Sequence, residues 1–376
     1  MTVRTVRILG TRGVPAAHGG FETAAEHVGL HLHRQGWRVL VYCQIPGQGP
    51  IEVDEWRGLE RVNIREPREG SLGTAFFDRK CVAHVLREAG PNDVCLTFGY
   101  NTGVFNIAQR VKRIPNVINM DGMEWLRRRW GPLRRGILLG NERVAGLVGD
   151  ILIADHPHIA TYLRRHFGSR RVVTIAYGAH AVHDAPTAPV EALGLEPGRY
   201  ATLIARPILE NSILEIVQAW SACPRPMSLA VLGALRDDDP YHREVRAAAG
   251  DQVRFLGAIY DPDIVAALRF HSALYLHGHT VGGTNPSLVE AMAAGNAVIA
   301  HNNPYNRFVA GVGNRYFDAA EDLAQSLDLL LEDRDSLTAM GRFSRMRHET
   351  EYTWEQICDQ YEKALLRAMR ARGIDA

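Results

Sequence analysis

Short apolar segments alternate with stretches of helical periodicity along most of the 376-residue chain, and this alternation constrains the fold more than any other feature. In residues 21–32, for example, apolar residues recur at the spacing of one helix face. A repeated strand–helix–strand order predicts a parallel sheet with helices on both faces. The predicted strands are residues 6–9, 38–42, 93–97, 116–120, 151–154, 172–176, 201–204, 229–233, 253–256, 273–276 and 297–300.

The alternation pauses at residues 180–200, where three prolines lie among small and acidic residues, and this segment is predicted to be a linker. We therefore predict an α/β protein with two doubly wound, Rossmann-like domains that face each other across a cleft, at residues 1–185 and 195–350. A last helix, over residues 354–372, is expected to pack back on the first domain. Ligands of such sheets bind at the carboxyl ends of the strands.

Charge and cysteine content exclude several classes of protein. Lys and Arg number 43 against 42 Asp and Glu, so no nucleic-acid partner is expected. The five cysteines are scattered and form no C-x-x-C pair, a pattern typical of free thiols in a reducing compartment and not of a zinc site. No apolar stretch approaches the ~18 residues that span a bilayer. We expect a cytoplasmic protein whose membrane contact is peripheral, at the inner face.

A glycine-rich loop, GTRGVPAAHGGFET, follows the first predicted strand. Glycines such as Gly19 and Gly20 let the backbone approach a ligand, and the following helix start offers N–H groups to a phosphate. Arg12 and His18 would add a charge and a hydrogen bond. The loop lacks G-x-G-x-x-G, so it is not a dinucleotide fingerprint. A tight turn without a ligand is the alternative, but the position at a strand end favours a ligand loop.

The segment HGHTVGGTNPSLVEAMAAG follows a predicted strand of the second half. Asn285 is a good N-cap, and Pro286 at the first helical position fixes the helix start. The backbone amides of Gly283 and Thr284 would then cradle a diphosphate, and Glu290 would accept hydrogen bonds from ribose hydroxyls. The alternative is an ordinary capped helix with a solvated glutamate.

Arg206 ends the first strand of the second half and is the candidate cation for that diphosphate. A guanidinium binds phosphate bidentately and keeps its charge near neutral pH. A surface arginine without a ligand is the alternative. The acidic run RDDDP at 236–240 resembles a metal motif, but it precedes a helical pattern, so helix capping explains it more simply.

Together these segments resemble the family 4 glycosyltransferases of GT-B fold over nearly the whole chain. Three segments further resemble a bacterial subgroup of rhamnosyltransferases in polysaccharide assembly: GGFET at 19–23, DGMEW at 121–125 and GGTNPS at 282–287. The resemblance implies an acceptor-side first domain and a donor-binding second domain. It also implies a retaining transfer without a metal or other cofactor, with a nucleotide-diphosphate sugar as the donor substrate.

Residue by residue, the resemblance implies that the two glycines before Phe21 lie near the donor diphosphate. Arg206 matches the family's phosphate-binding arginine, and Glu290 the second glutamate of its paired-glutamate motif. The chain departs from the family at two donor contacts: Gly282 stands where the first glutamate is expected, and Asn211 where a lysine is expected. Arg12 is our candidate for a compensating cation, and Asn211 for a replacement contact.

The family's first-domain catalytic position, often a histidine, corresponds here to Asp121, which would stabilise positive charge at the anomeric carbon. Glu124 is an alternative for the same role, and a simple turn at Asp121 is the alternative without a function. The nearby residues Trp125, Arg127, Arg128 and Arg129 form a basic and aromatic cluster, expected to meet anionic lipid headgroups or a lipid-linked pyrophosphate. A solvated helix face is equally compatible with this cluster.

The sequence thus predicts transfer of a sugar, L-rhamnose from a dTDP donor by subgroup resemblance, to a lipid-pyrophosphate-linked glycan. A hydrolysing sugar-nucleotide epimerase is the enzyme alternative and would need more carboxylates around the sugar. A sugar-nucleotide-binding protein without catalysis is the other alternative, because the first glutamate is missing. A nicotinamide dehydrogenase fits poorly, since the fingerprint glycines are absent.

Overall fold

The computed structural model describes residues 3–17, 19–127 and 130–374. The strands are β1 Thr5–Leu9, β2 Arg38–Pro46, β3 Glu52–Trp56, β4 Leu59–Glu66, β5 Asp93–Phe98, β6 Asn116–Asn119, β7 Ile151–Ala154, β8 Val172–Thr174, β9 Tyr200–Ile204, β10 Ser228–Leu232, β11 Val253–Gly257, β12 Leu274–His277, β13 Ala297–His301 and β14 Arg315–Phe317. The α-helices are α1 Gly20–Arg34, α2 Gly70–Glu88, α3 Asn106–Val111, α4 Pro132–Val148, α5 Pro157–Phe167, α6 Ala188–Ala192, α7 Ile213–Ser221, α8 Pro240–Ala247, α9 Pro262–Phe270, α10 Pro286–Ala293, α11 Pro304–Ala310, α12 Ala320–Leu330, α13 Arg334–Glu351 and α14 Trp354–Arg370.

The chain forms two compact units. The first contains the described residues up to Ala176 together with the segment from Trp354 onward, and the second is Tyr177–Thr353. The boundary therefore lies before the expected position at residue 185, and the proline-containing segment predicted as a linker belongs to the second unit. No described helix has both the length and the apolar character needed to cross a membrane.

The first unit has an eight-stranded sheet in the order β3-β4-β2-β1-β5-β6-β7-β8, parallel except for the antiparallel β3–β4 pair. Strands β1, β5, β6 and β7 are apolar and buried along most of their length, as central strands covered on both faces should be. Helix α14 packs on α1 and on β5–β7, and the Tyr361 hydroxyl accepts a hydrogen bond of 2.8 Å from the Asn119 amide. This bond joins the C-terminal helix to the end of β6.

The second unit has a six-stranded parallel sheet in the order β11-β10-β9-β12-β13-β14. Helices α7 and α12 and part of α13 cover one face, around the fully buried Trp220. Helices α6 and α9 contribute to the core of the other face. The strand order reverses next to β9, so the loops after β9 and β12 lie side by side at the carboxyl edge, where ligands bind in such sheets.

The sequence patterns missed three strands. Strand β4 alternates apolar and polar residues, with Leu59, Val62 and Ile64 buried, but its neighbour β3 is an exposed edge strand without an apolar face. Strand β14 has three residues, too few for a periodic signal. The run RDDDP behaves as predicted from its position: Asp239 is the N-cap of α8 and accepts a hydrogen bond of 2.9 Å from the Tyr241 amide.

Candidate functional site

The loop after β9 carries Arg206, and side chains of the same unit fix its backbone by hydrogen bonds. The Asn211 side-chain amide donates a 2.8 Å hydrogen bond to the backbone carbonyl of Arg206, and Asn211 is only 3% exposed. The His242 Nδ1 accepts from the Arg236 amide at 2.9 Å, so Nε2 carries the proton that it donates to the Pro207 carbonyl at 2.7 Å. The side chain of Arg206 is exposed, and hydrogen bonds to the carbonyls of Arg206 and Pro207 fix the backbone that carries it.

The loop after β12 packs directly against this β9 loop. The Thr280 amide and hydroxyl donate to the Glu210 carbonyl at 2.8 and 3.0 Å. Gly278 approaches so closely that a Cβ at this position would lie 2.1 Å from the Asn211 carbonyl oxygen. Only glycine permits this approach, so the contact joins the Arg206 loop to the segment that leads into α10.

Helix α10 begins as the sequence predicts. Asn285 is its N-cap and Pro286 occupies the first turn, and the Asn285 side chain accepts from the Ser287 amide at 3.1 Å and the Ser287 hydroxyl at 2.8 Å. Gly283 and the buried Thr284 immediately precede the cap. Positive charge from the helix dipole is therefore concentrated where the glycine-containing segment ends.

Glu290, in the second turn of α10, forms an ion pair that the sequence did not reveal. Its Oε2 lies 2.6 Å from Nη2 of Arg269, which is nearly buried, whereas Glu290 is one-third exposed at its side chain. Tyr275 lies in the same cluster, and burial raises the pKa of Tyr275 to about 12. The ion pair fixes the orientation of the Glu290 carboxylate. Arg269 lies on a different helix, α9, so sequence spacing gave no signal for the pair.

Three histidines gather where β12 and β13 end. His277 is 1% exposed and stacks on His279, with ring centroids 4.4 Å apart. Neither ring nitrogen of His277 has a hydrogen-bond partner among the described residues. Burial lowers the pKa of His277 well below its usual range, and His279 and His301 lower it further. His277 is therefore neutral at physiological pH. The sequence analysis assigned it no role.

The glycine-rich loop of the first unit folds back on α1. The Glu22 carboxylate accepts from the Arg12 amide at 2.9 Å, and the Glu26 carboxylate accepts from the Ala16 amide at 2.8 Å. Gly19 precedes the first helical residue, Gly20, and no described side chain caps this helix start. Its first amides therefore lack the side-chain acceptor that Asn285 provides for α10. The Arg12 side chain is exposed, and His18 lies outside the described residues.

The loop after β6 carries Asp121 at the same edge of the first sheet. Asp121 has φ 52°, a left-handed conformation that costs a non-glycine residue about 1 kcal/mol. Its backbone amide donates to the Asn119 side-chain oxygen at 3.0 Å, which stabilises the turn. The Gly99 amide donates to the Asn119 carbonyl at 2.9 Å, and a Cβ on Gly10 would lie 2.0 Å from the Phe98 carbonyl oxygen. The loops after β1, β5 and β6 are therefore adjacent.

Glu124 is buried and occupied by structural contacts. One carboxylate oxygen accepts from Trp130 Nε1 at 3.0 Å, and the other pairs with Arg127. Its backbone amide donates to the Tyr100 hydroxyl at 2.8 Å, and that hydroxyl donates to the Gly122 carbonyl. Glu124 therefore organises the loop after Asp121, and its carboxylate is committed to Trp130 and Arg127.

Two side chains of the basic and aromatic cluster, Trp125 and Arg127, bind carboxylates of the same unit and are not solvated as expected for a lipid contact. Trp125 Nε1 donates to Glu142 at 2.8 Å, and the Arg127 cation is paired with Glu124. Arg128 and Arg129, which were predicted to belong to the cluster, lie outside the described residues. Exposed apolar side chains lie along the same part of the chain: Leu126, Leu133 and Ile137.

The structure thus gathers the predicted residues at two sheet edges, one in each unit. Arg206, Asn211 and the segment 282–285 adjoin at the carboxyl edge of the second sheet. The glycine-rich loop and Asp121 adjoin at the carboxyl edge of the first.

Two family models match the chain. Residues 3–180 match a family described as a domain of unknown function, DUF1972, and residues 208–347 match the family described as glycosyl transferases group 1. No curated protein matches the chain. The second match contains Asn211, the α10 segment, Arg269 and Glu290.

Solved structures share the architecture of the whole chain. Sucrose-phosphate synthase from Thermosynechococcus elongatus is 19% identical with a TM-score of 0.81, over 98% of this chain and 100% of that one. HepE from Anabaena, solved in complex with UDP-glucose, is 16% identical with a TM-score of 0.74, over 97% and 99%. The α,α-trehalose 6-phosphate synthase from Burkholderia multivorans is 12% identical with a TM-score of 0.73, over 99% and 100%. The chain therefore has the two-domain α/β fold of GT-B glycosyltransferases. Within its second unit, residues 208–347 are similar to glycosyl transferases group 1.

Proposed function

We propose that the protein is a retaining glycosyltransferase that moves a sugar from a nucleotide-diphosphate donor to a lipid-pyrophosphate-linked glycan, in assembly of a bacterial surface polysaccharide or exopolysaccharide. The observation that carries the proposal is the packing of the Arg206 loop against the segment that leads into the capped start of α10. The match to glycosyl transferases group 1 begins two residues after Arg206, at residue 208, and supports the proposal. Subgroup resemblance makes L-rhamnose on dTDP the first donor candidate. UDP-glucose is the second, because HepE was solved with it.

In this proposal the donor diphosphate binds at the second unit. Arg206 supplies a permanent positive charge, and the amides of Gly283 and Thr284 donate hydrogen bonds at the helix start. Both groups are positioned before the reaction, so they stabilise the charge that develops on the leaving diphosphate without reorganising. The Asn211 amide contributes indirectly, by holding the Arg206 backbone. No metal or other cofactor is invoked, because the arginine and the helix dipole supply the positive charge.

Glu290 is proposed to accept hydrogen bonds from the ribose hydroxyls, with Arg269 as its positioning residue. An ionised carboxylate is a stronger acceptor than a neutral group, and the 2.6 Å ion pair limits the orientations it can adopt. Removing Arg269 would leave Glu290 charged and partly buried without its partner. We therefore expect Arg269→Gln to weaken donor binding even if Arg269 itself never touches the donor.

Asp121 is proposed to stabilise positive charge at the anomeric carbon, and the acceptor hydroxyl to lose its proton to a donor phosphate oxygen. The left-handed backbone at Asp121 supports this role, because non-glycine residues in strained conformations cluster at functional sites. Gly19, Gly20 and Arg12 are proposed to contribute further N–H groups and a charge to the diphosphate.

The lipid-linked acceptor is proposed to bring the protein to the inner face of an anionic membrane, in the cytoplasm. Exposed Leu126, Leu133 and Ile137 lie near the basic segment that begins at Arg127, a combination suited to lipid headgroups. Because Arg127 is paired with Glu124, the charge of this surface must come from its neighbours. We expect Leu133→Gln with Ile137→Gln to reduce binding to anionic vesicles, measured by co-sedimentation.

The test of donor binding is a thermal-shift series with dTDP-L-rhamnose and UDP-glucose. At about 100 times its Kd, a bound donor should add about 2.7 kcal/mol to the free energy of unfolding. Arg206→Ala should abolish the shift. Arg236→Ala is the matched control, because Arg236 is an exposed arginine of the same unit whose nearest carboxylates are 3.5 and 3.7 Å away.

The test of transfer is release of the nucleoside diphosphate with and without a lipid-pyrophosphate-linked glycan. Release that requires the acceptor, and that Asp121→Asn abolishes while donor binding is retained, supports a transferase. Release of free sugar without acceptor would instead indicate the hydrolysing epimerase. Donor binding without release under either condition would indicate the non-catalytic binding protein. A thermal shift unchanged in Arg206→Ala would refute the donor site.

A further inference from the structure

A pocket of about 460 Å³ lies in the second unit, at the amino edge of its sheet. Its walls include Arg199 and Ala273, which directly precede β9 and β12, and Ala297, which begins β13. The loops that carry Arg206 and Gly283 follow the opposite ends of these strands. A strand of four or five residues spans ~13–17 Å, so this pocket is separate from the proposed donor site.

The pocket is lined by four arginines and by no aspartate or glutamate. Arg334, Arg342 and Arg345 all lie on α13, and their spacing of eight and eleven residues brings them to one face of that helix. Arg199 approaches from the start of β9. Thr338, on the same helix face, adds a hydroxyl between the first two helical arginines. The lining is therefore strongly cationic.

These arginines are not neutralised by carboxylates within the pocket. The side chains of Arg334 and Arg342 make no hydrogen bond or ion pair with any residue that the structure describes. Arg345 donates to the carbonyls of Ala294 and Val182, at 3.0 and 3.1 Å. Arg199 has an exposed carboxylate, Glu196, at 3.4 Å, a contact of little energetic value in water. Like charges thus line one concave surface, and because Arg334 and Arg342 are exposed, solvent screens their repulsion and leaves both guanidinium groups accessible to an anion.

The rest of the pocket suits a small ligand with a compact body. Its floor is tight: a Cβ on Gly341 would lie 2.4 Å from the Gly295 carbonyl oxygen. Apolar side chains, among them Met227 and Leu337, complete the wall. The volume lies within the range of small-molecule sites, above that of a bare phosphate ion. Planar guanidinium groups bind pairs of oxygens in both carboxylates and phosphates. A phosphate monoester has three acceptor oxygens and nearly two negative charges, so it can engage several of these arginines at once, which favours a phosphate ligand.

We propose that this pocket binds a phosphorylated small molecule of the size of a sugar phosphate, at a site distinct from the donor loops. The phosphate lies against Arg334, Arg342 and Arg345, and the body of the ligand lies along the apolar wall. This proposal does not depend on the glycosyltransferase reaction, because it rests on a pocket that shares no lining residue with the proposed donor site.

The test is isothermal titration calorimetry with glucose 1-phosphate and with inorganic pyrophosphate as probes. Arg334→Gln with Arg342→Gln removes two charges that have no partner in the fold, so this variant should unfold at the same temperature as the wild type. We expect its affinity for the probes to fall at least about tenfold, since two charge-assisted contacts are lost. Arg236→Gln with Arg243→Gln is the charge-matched control, because Arg236 is an exposed residue before α8 and Arg243 an exposed residue on it.

Probe binding to Arg206→Ala distinguishes this pocket from the proposed donor site. Probe binding that survives in Arg206→Ala and fails in Arg334→Gln with Arg342→Gln supports the pocket. Probe binding that fails in Arg206→Ala and survives in the pocket variant would assign the anion to the donor loops and overturn the proposal. Absence of binding of both probes to the wild type at 10 mM, a concentration about ten times a weak ~1 mM Kd, would also overturn it.

Discussion

Acid should destabilise the second unit through His277, and replacing this side chain with phenylalanine isolates its contribution. In the folded chain His277 is buried, has no hydrogen-bond partner for either ring nitrogen among the described residues, and faces His279 and His301. These surroundings lower its pKa well below the ordinary value. In the unfolded chain the same ring titrates near pH 6.5. Phenylalanine keeps a flat ring at this position and breaks no hydrogen bond.

The magnitude follows from the difference in bound protons. Below pH 6.5 the unfolded chain binds a proton at His277 and the folded chain does not, so the free energy of unfolding falls as the pH falls. With the folded ring neutral throughout, the loss is about 0.1 kcal/mol at pH 7.5 and about 1.4 kcal/mol at pH 5.5. For a unit of this size, that difference corresponds to a shift of about 3–5 °C in Tm.

The assay is urea denaturation of the wild type and of His277→Phe at pH 7.5 and pH 5.5. We expect the wild type to lose about 1.4 kcal/mol more than the variant between the two pH values. Histidines of the unit that do not contact His277 are the same in both proteins, so their contributions cancel in the comparison. His183→Gln, which alters an exposed histidine of the same unit, is the control. Equal losses in wild type and His277→Phe would refute the argument.

Two further substitutions test the packing of each unit. Gly278→Ala would place a Cβ 2.1 Å from the Asn211 carbonyl oxygen. We therefore expect the free energy of unfolding, measured by urea denaturation, to fall by about 1–3 kcal/mol, and donor binding to weaken. Gly250→Ala is the control and should be tolerated, because the nearest atom to its Cβ would be 3.5 Å away. Burial raises the pKa of Asp78 to about 6, so ionisation of Asp78 destabilises the first unit progressively as the pH rises from about 3.9, the unfolded value, to about 6. Asp78→Asn, which keeps an acceptor for the Thr102 hydroxyl, should therefore add about 2–3 kcal/mol at pH 7.5 and only about 0.5 kcal/mol at pH 4. A gain that is equal at both pH values would contradict this cause.

The sequence predicted the elements whose formation depends on residues close together in the chain. The central strands were predictable because short, mostly apolar segments alternate with helical patterns, and the start of α10 was predictable because Asn285 and Pro286 act within one turn. The edge strand β3 was not, because an exposed antiparallel strand has no buried face to leave a pattern. The boundary at Ala176 was missed for a related reason, since prolines mark turns but do not reveal with which unit a turn packs.

Contacts between distant residues account for what the sequence did not show at the site. Glu290 was predicted, but its pairing with Arg269 depends on how α9 and α10 pack. Glu124 was assigned to chemistry because it follows Asp121 closely, and Arg127 to membrane contact because it belongs to a basic and aromatic cluster, but the structure pairs the two side chains with each other. The burial of His277 likewise follows from the neighbours of β12 and not from its own segment.

The two departures from the glycosyltransferase pattern, Gly282 and Asn211, are structural features of these loops and not simple losses. Gly282 has φ 141°, a conformation unfavourable for a glutamate at that position, although space for a side chain is open. Asn211 is buried and donates its amide to the Arg206 carbonyl, so a lysine there would lose this bond and bring an unpaired charge into a buried position. Gly282 and Asn211 are therefore both suited to the conformations that these two loops adopt. In the donor site that we propose, the contacts from these loops come from Arg206 and the backbone amides before α10, which makes Arg206→Ala the most informative test of that proposal.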